Sequence, residues 1–497
     1  MVVLAALVVG ILGGEAIGAS AGTALLVACA LGAFAAALVR TPIARVAIVA
    51  LVFALLGAAV MQRALHGLVS SPLDAAVAHR ADARVVATLV ADPDASRYDA
   101  SALVRVVSSA GHHAGGRRVL VTASGDPAAH LRLLSAGESV VVRGWYSELA
   151  GFDARWRWSH AVAELHATDV VGVARAHAPL ARIANRLRAL VLSGSEHLAP
   201  VERALLAGFL LGDTRGVPKT VTDQFRAAGL THLTAVSGEN VAFVLALFAP
   251  LLRRSGVRGR VVLAVVVLVA FGTMTRWEPS VLRAIAMAIV ALLAGALGRP
   301  TTGLRVLVLA ATGLLVVDPF LVHQVGFLLS CGASLGIALL AAPITARLRG
   351  PAWIREVLGV TAAAQVGVAP VLIPVFGSMP LIALPANLVA VPLAAPLTMW
   401  GLVAGVVGGL TRPLLPAMPR VLELPTVGLL HALLAVADAA SRVPVAIDGR
   451  GAWGVLALGA LLAALHRARR LRPNERSDRE PGSPTRDGDH RRTRPDP

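Results

Sequence analysis

The chain has 497 residues, of which 56% are hydrophobic and only 15% are charged. Soluble domains carry about a quarter charged residues, so this composition excludes an ordinary soluble protein. The net charge is +17, and Lys219 is the only lysine. Cys29 and Cys331 both lie in apolar segments, which excludes a disulfide framework and metal sites built from paired cysteines.

Three apolar segments begin the chain, at residues 1–11, 23–39 and 43–60. The first has no basic residues before it, so we interpret residues 1–62 as N-terminal transmembrane helices rather than as a cleaved signal. Arg40 and Arg45 flank the loop after the second segment. By the positive-inside rule this loop is cytoplasmic, and the third helix therefore ends on the outer face of the membrane.

Residues 66–175 differ from this pattern, because apolar and polar residues alternate in short runs between Gly, Asp, Pro and Ser. Alternation with a period of two predicts about five short strands. A small barrel or sandwich accommodates them, and an OB-like β domain is the leading candidate. We expect this domain to be extracytoplasmic, because it follows the third helix.

Aromatic and arginine side chains are interleaved in the second half of this domain. Such residues form stacking platforms for single-stranded nucleic acid. The candidates for DNA contact are Arg143, Trp145, Tyr146, Arg155, Trp156, Arg157 and Trp158. The alternative is structural: Trp145 and Trp156 fill a small core, and Trp158 rests at the membrane interface.

The rest of the chain divides into three parts. Residues 176–199 form a basic amphipathic connector, which either lies in the membrane interface or packs on the barrel. Residues 200–466 contain eight or nine further apolar segments, which gives about ten to twelve spans in total. The basic run at residues 466–472 indicates a cytoplasmic C-terminus, and the polar composition of residues 467–497 predicts a disordered cytoplasmic tail.

The most informative motif lies within residues 207–245. Gly212 and Asp213 form a turn after an apolar run, and a second element follows from Phe225 through Gly229 and His232 to Ser237. Three later segments occur in matching order, at residues 276–284, 318–330 and 365–392. Together these motifs resemble the ComEC family of DNA-uptake channels, over about residues 1–466.

This resemblance implies a polytopic α-helical channel that carries single-stranded DNA inward through the inner (plasma) membrane during natural transformation. It also implies partners, namely a DNA receptor and a separate ATPase or nuclease. Many relatives have histidine where this chain has Asn240. The metal-binding motif of the metallo-β-lactamase-like domain of longer relatives does not occur. We therefore expect no enzyme activity, no catalytic residue, no cofactor and no metal.

Ionisable and amide side chains within apolar segments normally face a bundle interior or an aqueous path. The candidates for the DNA path are His232, Ser237, Glu239, Asn240, Arg276, Glu278, Arg283, Gln365 and Asn387. Arg283 is the best candidate for a phosphate contact. Structural alternatives exist for most of the others.

Arg276 and Glu278 are also consistent with a local ion pair at a loop, and residues 237–240 with a helix break lining the path. Gln365 and Asn387 are also consistent with bridges between broken helices. The functional alternatives are a small-solute permease with an extracytoplasmic binding domain, and an envelope protein without transport.

Overall fold

The computed structural model describes residues 1–18, 22–39, 41–95, 99–234, 236–443 and 446–448. Arg40, the last apolar segment that ends near residue 466, the basic run at residues 466–472 and the predicted tail at residues 467–497 lie outside the described residues.

Three helices form the N-terminal part: α1 (Val2–Ile17), α2 (Gly22–Leu38) and α3 (Pro42–Val69). Helices α1 and α3 pack closely because small residues face each other. A Cβ on Gly10 would lie 1.9 Å from the carbonyl oxygen of Ala54, and a Cβ on Gly57 would lie 2.3 Å from that of Leu7. Close backbone approach at small residues is a common packing mode of membrane helices.

The next part is a β domain. Its elements are α4 (Asp74–Ala78), β1 (Asp82–Leu89), β2 (Asp94–Ala95), β3 (Asp99–Ser109), β4 (His112–His113), β5 (Arg118–Ser124), α5 (Asp126–Arg132), β6 (Ser139–Ser147), a 3₁₀ helix (Gly151–Ser159) and β7 (Ala161–Ala174). The strands pair in the order β1-β6-β7-β5-β3, and β3 also pairs with β1, which closes a five-stranded barrel. Among the strand pairs of the described residues, β5 and β7 are the parallel pair.

The barrel forms because the strands alternate. In β6 the residues at every second position are buried, and one face of each strand contributes to a single apolar core. Tyr146 and Val104 lie in that core, and Val104 is fully buried. Alternation therefore predicts the side-chain positions here, as expected for strands with one solvent face.

The remaining elements are helical. They are α6 (Pro179–Gly194), α7 (Pro200–Leu211), α8 (Lys219–Ala227), α9 (Thr231–Thr234), α10 (Gly238–Leu247), α11 (Ala249–Arg254), α12 (Val257–Met274), α13 (Pro279–Ala296), α14 (Gly303–Val317), a 3₁₀ helix (Pro319–His323), α15 (Val325–Thr345), α16 (Ala352–Phe376), α17 (Ala383–Thr411), α18 (Met418–Leu422) and α19 (Leu424–Ser441). A short strand pair, β8 (Ser378–Pro380) with β9 (Ala446–Asp448), accompanies them.

In the described part of the chain, seven helices are long and apolar enough to cross a membrane: α3, α12, α13, α15, α16, α17 and α19. Four shorter apolar helices occur as well, at Val2–Ile17, Leu25–Ala36, Gly238–Leu247 and Gly303–Val317. The chain is therefore a polytopic helical membrane protein. The prediction of about ten to twelve spans stays a prediction.

Helix α6 packs mainly against α17. A Cβ on Gly194 would lie 2.3 Å from the carbonyl oxygen of Gly405, so the two helices cross in backbone contact. Toward the barrel, the side chain of Asn185 donates a hydrogen bond to the carbonyl of Ala136 at 3.1 Å. Helix α6 thus lies against both the barrel and α17.

A buried ion cluster joins the barrel to the helices. Arg188 donates to Asp92 of the barrel at 2.9 Å and to Asp213 at 3.2 Å. Arg215 contacts Asp213 at 2.6 Å, and Arg276 donates to Asp92 at 3.1 Å. Buried charges are tolerated when they are paired in this way.

The cluster also fixes the ends of two helices. The other guanidinium nitrogen of Arg188 donates to the carbonyls of Leu211 and Met274, at the C-termini of α7 and α12. Burial raises the pKa of Asp92, but Arg188 and Arg276 outweigh it and hold the pKa of this carboxyl below its usual range. A lowered pKa means that the carboxylate stabilises docking above about pH 3.9, and that this contribution is lost as the pH falls through the lower folded value.

Two further contacts dock the barrel. Arg117 donates to the carbonyls of Gly67 and Ser70 at the C-terminal end of α3, at 2.6 Å each. Trp158 stacks on His323 with ring centroids 3.9 Å apart. The barrel is thus held at three separate places on the helical part.

We predict that Asp92→Asn destabilises the chain. The substitution removes the charge that Arg188 and Arg276 share, and breaking one partner of a buried pair costs about 3–5 kcal/mol. The measurement is the unfolding transition of the detergent-solubilised chain. Asp223→Asn is the matched control, because it breaks an exposed pair with Arg226 that contributes only about 0–1 kcal/mol. Equal stability of the two variants would contradict a stabilising role of the buried ion cluster.

Candidate anion site in the helical bundle

The site begins at a break between α9 and α10. Ser237 has extended backbone angles, and its hydroxyl accepts a hydrogen bond from the backbone N–H of Glu239, so it caps α10. The chain is interrupted before α10 rather than across residues 237–240, because residues 238–240 already belong to that helix. Gly238 is the first residue of α10. Because it has no side chain, it leaves space for a side chain of α13.

Arg283 of α13 occupies that space. Its side chain is 7% exposed, its Nε donates to the hydroxyl of Ser330 on α15 at 2.6 Å, and one terminal nitrogen lies 2.9 Å from the sulfur of Met287. The other terminal nitrogen would be 2.6 Å from a Cβ on Gly238. Among the described residues no carboxylate forms an ion pair with Arg283, so the positive charge of the guanidinium is not neutralised there.

The guanidinium lies beside the N-terminus of α10. Gly238 is the first residue of α10, whereas Arg283 is the fifth residue of α13 and Ser330 is the sixth residue of α15. Helix N-termini carry partial positive charge from unpaired N–H groups, within the first turn. Two carboxylates, Glu239 and Glu278, are exposed at the N-terminal ends of α10 and α13. The unpaired guanidinium at the N-terminus of α10 therefore favours an anion, and acidic residues occur at the ends of the two helices.

Among the described residues, the other polar candidates for the path either bond to a neighbouring helix or have no hydrogen bond to Arg283. Asn240 is 6% exposed and donates to the carbonyl of Phe209 on α7 at 2.9 Å, which removes it from the set of path-lining candidates. Asn387 is buried, and its carbonyl oxygen has no partner among the described residues. Gln365 is half-buried, and His232 is exposed on α9. In the described part of the chain no hydrogen bond links any of these four to Arg283.

Arg276 is part of the interdomain cluster rather than of the path. It pairs with Asp92, so the structure differs from the expected local pair of Arg276 with Glu278. Arg276 and Trp277 both have positive φ angles, 60° and 56°. Non-glycine residues rarely adopt this region, and the two residues keep it because the bond to Asp92 fixes the loop.

On the barrel, two of the predicted contact residues lie on an exposed surface. Arg143 is exposed on β6, and Trp145 is 36% exposed and stacks on His166 with centroids 4.0 Å apart. Arg84 of β1 pairs with Arg143 across the strands and is also exposed. The prediction that Trp145 fills the core is not what the structure shows, because the odd-numbered side chains of β6 point outward.

Two barrel candidates must be corrected. Tyr146 is fully buried, and its hydroxyl donates to Ser109 at 3.0 Å, so it cannot reach a nucleic acid. Trp158 uses its ring to stack on His323 and to contact Phe320 edge-on, so it serves docking. Trp158 is covered by the helical part of the chain, which explains why it is not free to contact DNA.

The remaining three candidates lie on the 3₁₀ helix at Gly151–Ser159. Arg155 and Arg157 are exposed and Trp156 is half-buried. The guanidinium of Arg155 lies 3.4 Å from the ring centre of Phe152, and that of Arg157 lies 5.3 Å from the ring centre of Trp158. Both arginines are therefore partly engaged by neighbouring rings.

Sequence reasoning missed three members of these sites. Ser330 and Met287 contact Arg283, and Arg84 neighbours Arg143. Met287 follows Arg283 by four residues on α13, so helical spacing alone places it on the same face. The strand alternation that marks Arg143 as exposed marks Arg84 as well, but nothing in the sequence pairs their strands. Ser330 lies on another helix, and no local signal indicates it.

Fold and site together define the chain as a polytopic membrane protein with a buried cationic group beside the N-terminus of α10. The competence protein family matches residues 209–471, which is more than half of the chain, and the chain belongs to this family. ComE operon protein 3 of Bacillus subtilis (strain 168) is 27% identical over 223 residues, which are 44% of this chain and 28% of that protein. This chain thus aligns with less than a third of that relative's length. No solved structure matches.

We predict that Gly238→Ala displaces the guanidinium of Arg283 without unfolding the chain. The new methyl would lie 2.6 Å from a terminal nitrogen of Arg283, the end of a flexible side chain, and 3.3 Å from the Cβ of Ala284. The measurement is the unfolding transition together with the function tested for Arg283 below. Gly313→Ala is the matched control, because nothing lies within 4 Å of a Cβ there. The expectation fails if both variants retain full function.

Proposed function

We propose that this chain is an inner-membrane channel that carries single-stranded DNA into the cytoplasm during natural transformation. The single observation that carries the proposal is the guanidinium of Arg283, which is only 7% exposed, lies beside the N-terminus of α10 and has no carboxylate partner among the described residues. A polyanion crossing a low-dielectric slab needs cationic groups that are not already paired. Membership of the competence family supports DNA as the substrate.

The barrel supports the same function as a receiving domain. We propose that it is OB-like, because five strands close through one parallel pair, β5 with β7, and a helix connects the third strand of the barrel to the fourth. Its exposed Arg84, Arg143 and Trp145 provide charge and one stacking surface. Base stacking on an aromatic ring contributes about 1–3 kcal/mol per base.

We further propose a topology and partners. The barrel is extracytoplasmic and the C-terminal tail is cytoplasmic, on the positive-inside argument from Arg45 and the basic run at residues 466–472. The chain has about ten to twelve spans. A DNA receptor delivers the strand, and a separate ATPase or nuclease acts with the channel. The chain itself is proposed to have no enzyme activity.

A small-solute permease is the alternative, and the acidic rim of the site is the observation that favours it. Glu239 and Glu278 lie at the mouth of the anion site, where they repel phosphate but not a neutral or zwitterionic solute. An envelope protein without transport is the third possibility. Only transport measurements separate these three.

We predict that Arg283→Ala lowers DNA internalisation by on the order of tenfold, the effect of losing one charge-assisted hydrogen bond to phosphate. The measurement counts cytoplasmic recombinants and nuclease-protected label in cells that express the variant in place of the native chain. Arg299→Ala is the matched control, because Arg299 is exposed after the end of the same helix. Glu239→Gln, which removes negative charge from the rim, is expected not to lower internalisation.

Normal recombinant numbers with a well-inserted Arg283→Ala variant would reject the assignment of the path. A deletion strain with normal numbers of recombinants would reject the channel and favour the permease. Protected label without recombinants places the block at the inner membrane, and so it supports the channel.

We predict that Trp145→Ala weakens binding of a fluorescent single strand to the purified full chain by about fivefold to tenfold, the loss of one stacked base. The affinity is expected to fall as salt is raised, because exposed arginines contribute. Trp353→Ala is the control, since Trp353 is exposed on α16, outside the barrel. Equal loss in both variants, or none in either, contradicts a binding surface at Trp145.

A further inference from the structure

Helix α19 carries a polar stripe although it is apolar enough to cross a membrane. His431, Asp438 and Arg442 are spaced by seven and four residues, so they lie on one face of the helix. Ala435 lies on the same face between the first two and is exposed. The opposite face, with Leu430, Leu433 and Ala437, is buried against the bundle.

Neighbouring helices add polar groups to this stripe. Glu202 of α7 lies 2.7 Å from the imidazole of His431, and its other oxygen accepts from the backbone N–H of Ala199. Gln224 of α8 donates to Asp438 at 3.2 Å. Asp438 also pairs with Arg442.

The stripe reaches the middle of α19, a helix that is apolar enough to cross a membrane. His431 is the eighth of its 18 residues, about 10 Å from its start at 1.5 Å per residue. Asp438 lies three residues before the end of the helix, and Arg442 follows its last residue.

The bonds to Glu202 and Gln224 do not bury these side chains. The exposed fractions are 61% for His431, 38% for Asp438 and 74% for Arg442. An ionisable group that faces lipid in the middle of a span costs several kcal/mol, so a residue at the position of His431 normally faces water. The face of α19 that carries the stripe therefore requires an aqueous neighbour.

The charge of the stripe differs from that of the Arg283 site. Two carboxylates, Glu202 and Asp438, stand beside one guanidinium and one imidazole. The two carboxylates repel a phosphate backbone, whereas they attract a proton or another small cation.

We propose that the stripe of α19, completed by Glu202 and Gln224, lines a second aqueous path that admits small cations and is separate from the anion site at Arg283. The path runs from the middle of α19 toward its end at Asp438. It does not rest on DNA as the transported molecule, because the exposure of the stripe, its position on the helix and its charge carry it.

The test is thiol accessibility of the full chain in open membrane fragments, after Cys29→Ser and Cys331→Ser remove the native thiols. Ala435→Cys places a thiol on the stripe and keeps every charged group. Val266→Cys is the matched control: it is 58% exposed in the middle of α12 among apolar neighbours. Small membrane-impermeant thiol reagents, one cationic and one anionic, are compared by their reaction rates.

The expected result is that Ala435→Cys reacts while Val266→Cys does not, and that the cationic reagent reacts faster by on the order of tenfold. Adding Asp438→Asn is expected to reduce that preference. Two outcomes overturn the proposal: Ala435→Cys as unreactive as Val266→Cys, which means that the face contacts lipid, or a faster reaction with the anionic reagent.

Gly428→Cys provides a second variant if Ala435→Cys does not accumulate, because nothing lies within 4 Å of a Cβ at Gly428. Its reactivity is scored by the same two criteria. Both variants are checked for insertion by complete labelling after denaturation. Because neither alters Arg283, internalisation of DNA in the same strains is read separately, and failure of one proposal leaves the other testable.

Discussion

The bond network around Asp92 is the constraint on which the arrangement of the two parts depends. A single barrel carboxylate receives Arg188 and Arg276, and Arg188 in turn binds Asp213 and the last carbonyls of α7 and α12. Arg215 adds a further contact to Asp213, and the cluster holds the barrel, helices α6 and α7 and the loop before α13 in one relative position. Since Arg283 lies seven residues after Arg276, the same network determines where the anion site begins relative to the barrel.

The most recognisable sequence motif takes part in this network. Gly212 ends α7 with a positive φ of 74°, and the side chain of Asp213 after it accepts from Arg188. The side chain of Asn240 binds α10 to the carbonyl of Phe209. Motif residues therefore hold helix ends together, whereas Arg283, which has no carboxylate partner among the described residues, lies in a later segment.

Much of this was predictable from local pattern. Alternation places the strands and the outward side chains of β6, and apolar length identifies the long helices. What sequence cannot supply is pairing between distant elements. Arg276 was expected to pair with Glu278 two residues away, but the barrel offers Asp92, 184 positions earlier. Trp158 was assigned to a DNA contact or to the membrane interface, but its ring stacks on His323 of the 3₁₀ helix at Pro319–His323. The burial of Tyr146, in contrast, could be predicted from the sequence, because strand alternation alone places it on the face opposite to Trp145 and hence inside the barrel.

The two polar features of the bundle separate by charge, and this separation constrains how such a protein works. No carboxylate among the described residues pairs with the guanidinium of Arg283, whereas the stripe of α19 contains the carboxylates of Glu202 and Asp438. On the two proposals, a polyanion and a small cation meet opposite fields in one chain, and neither field extends unscreened for more than about 10 Å through water at moderate salt. Movement of an anion past Arg283 and of a cation along α19 in the same direction would offset each other's charge. A membrane potential would then act on the sum of the two flows rather than on either alone.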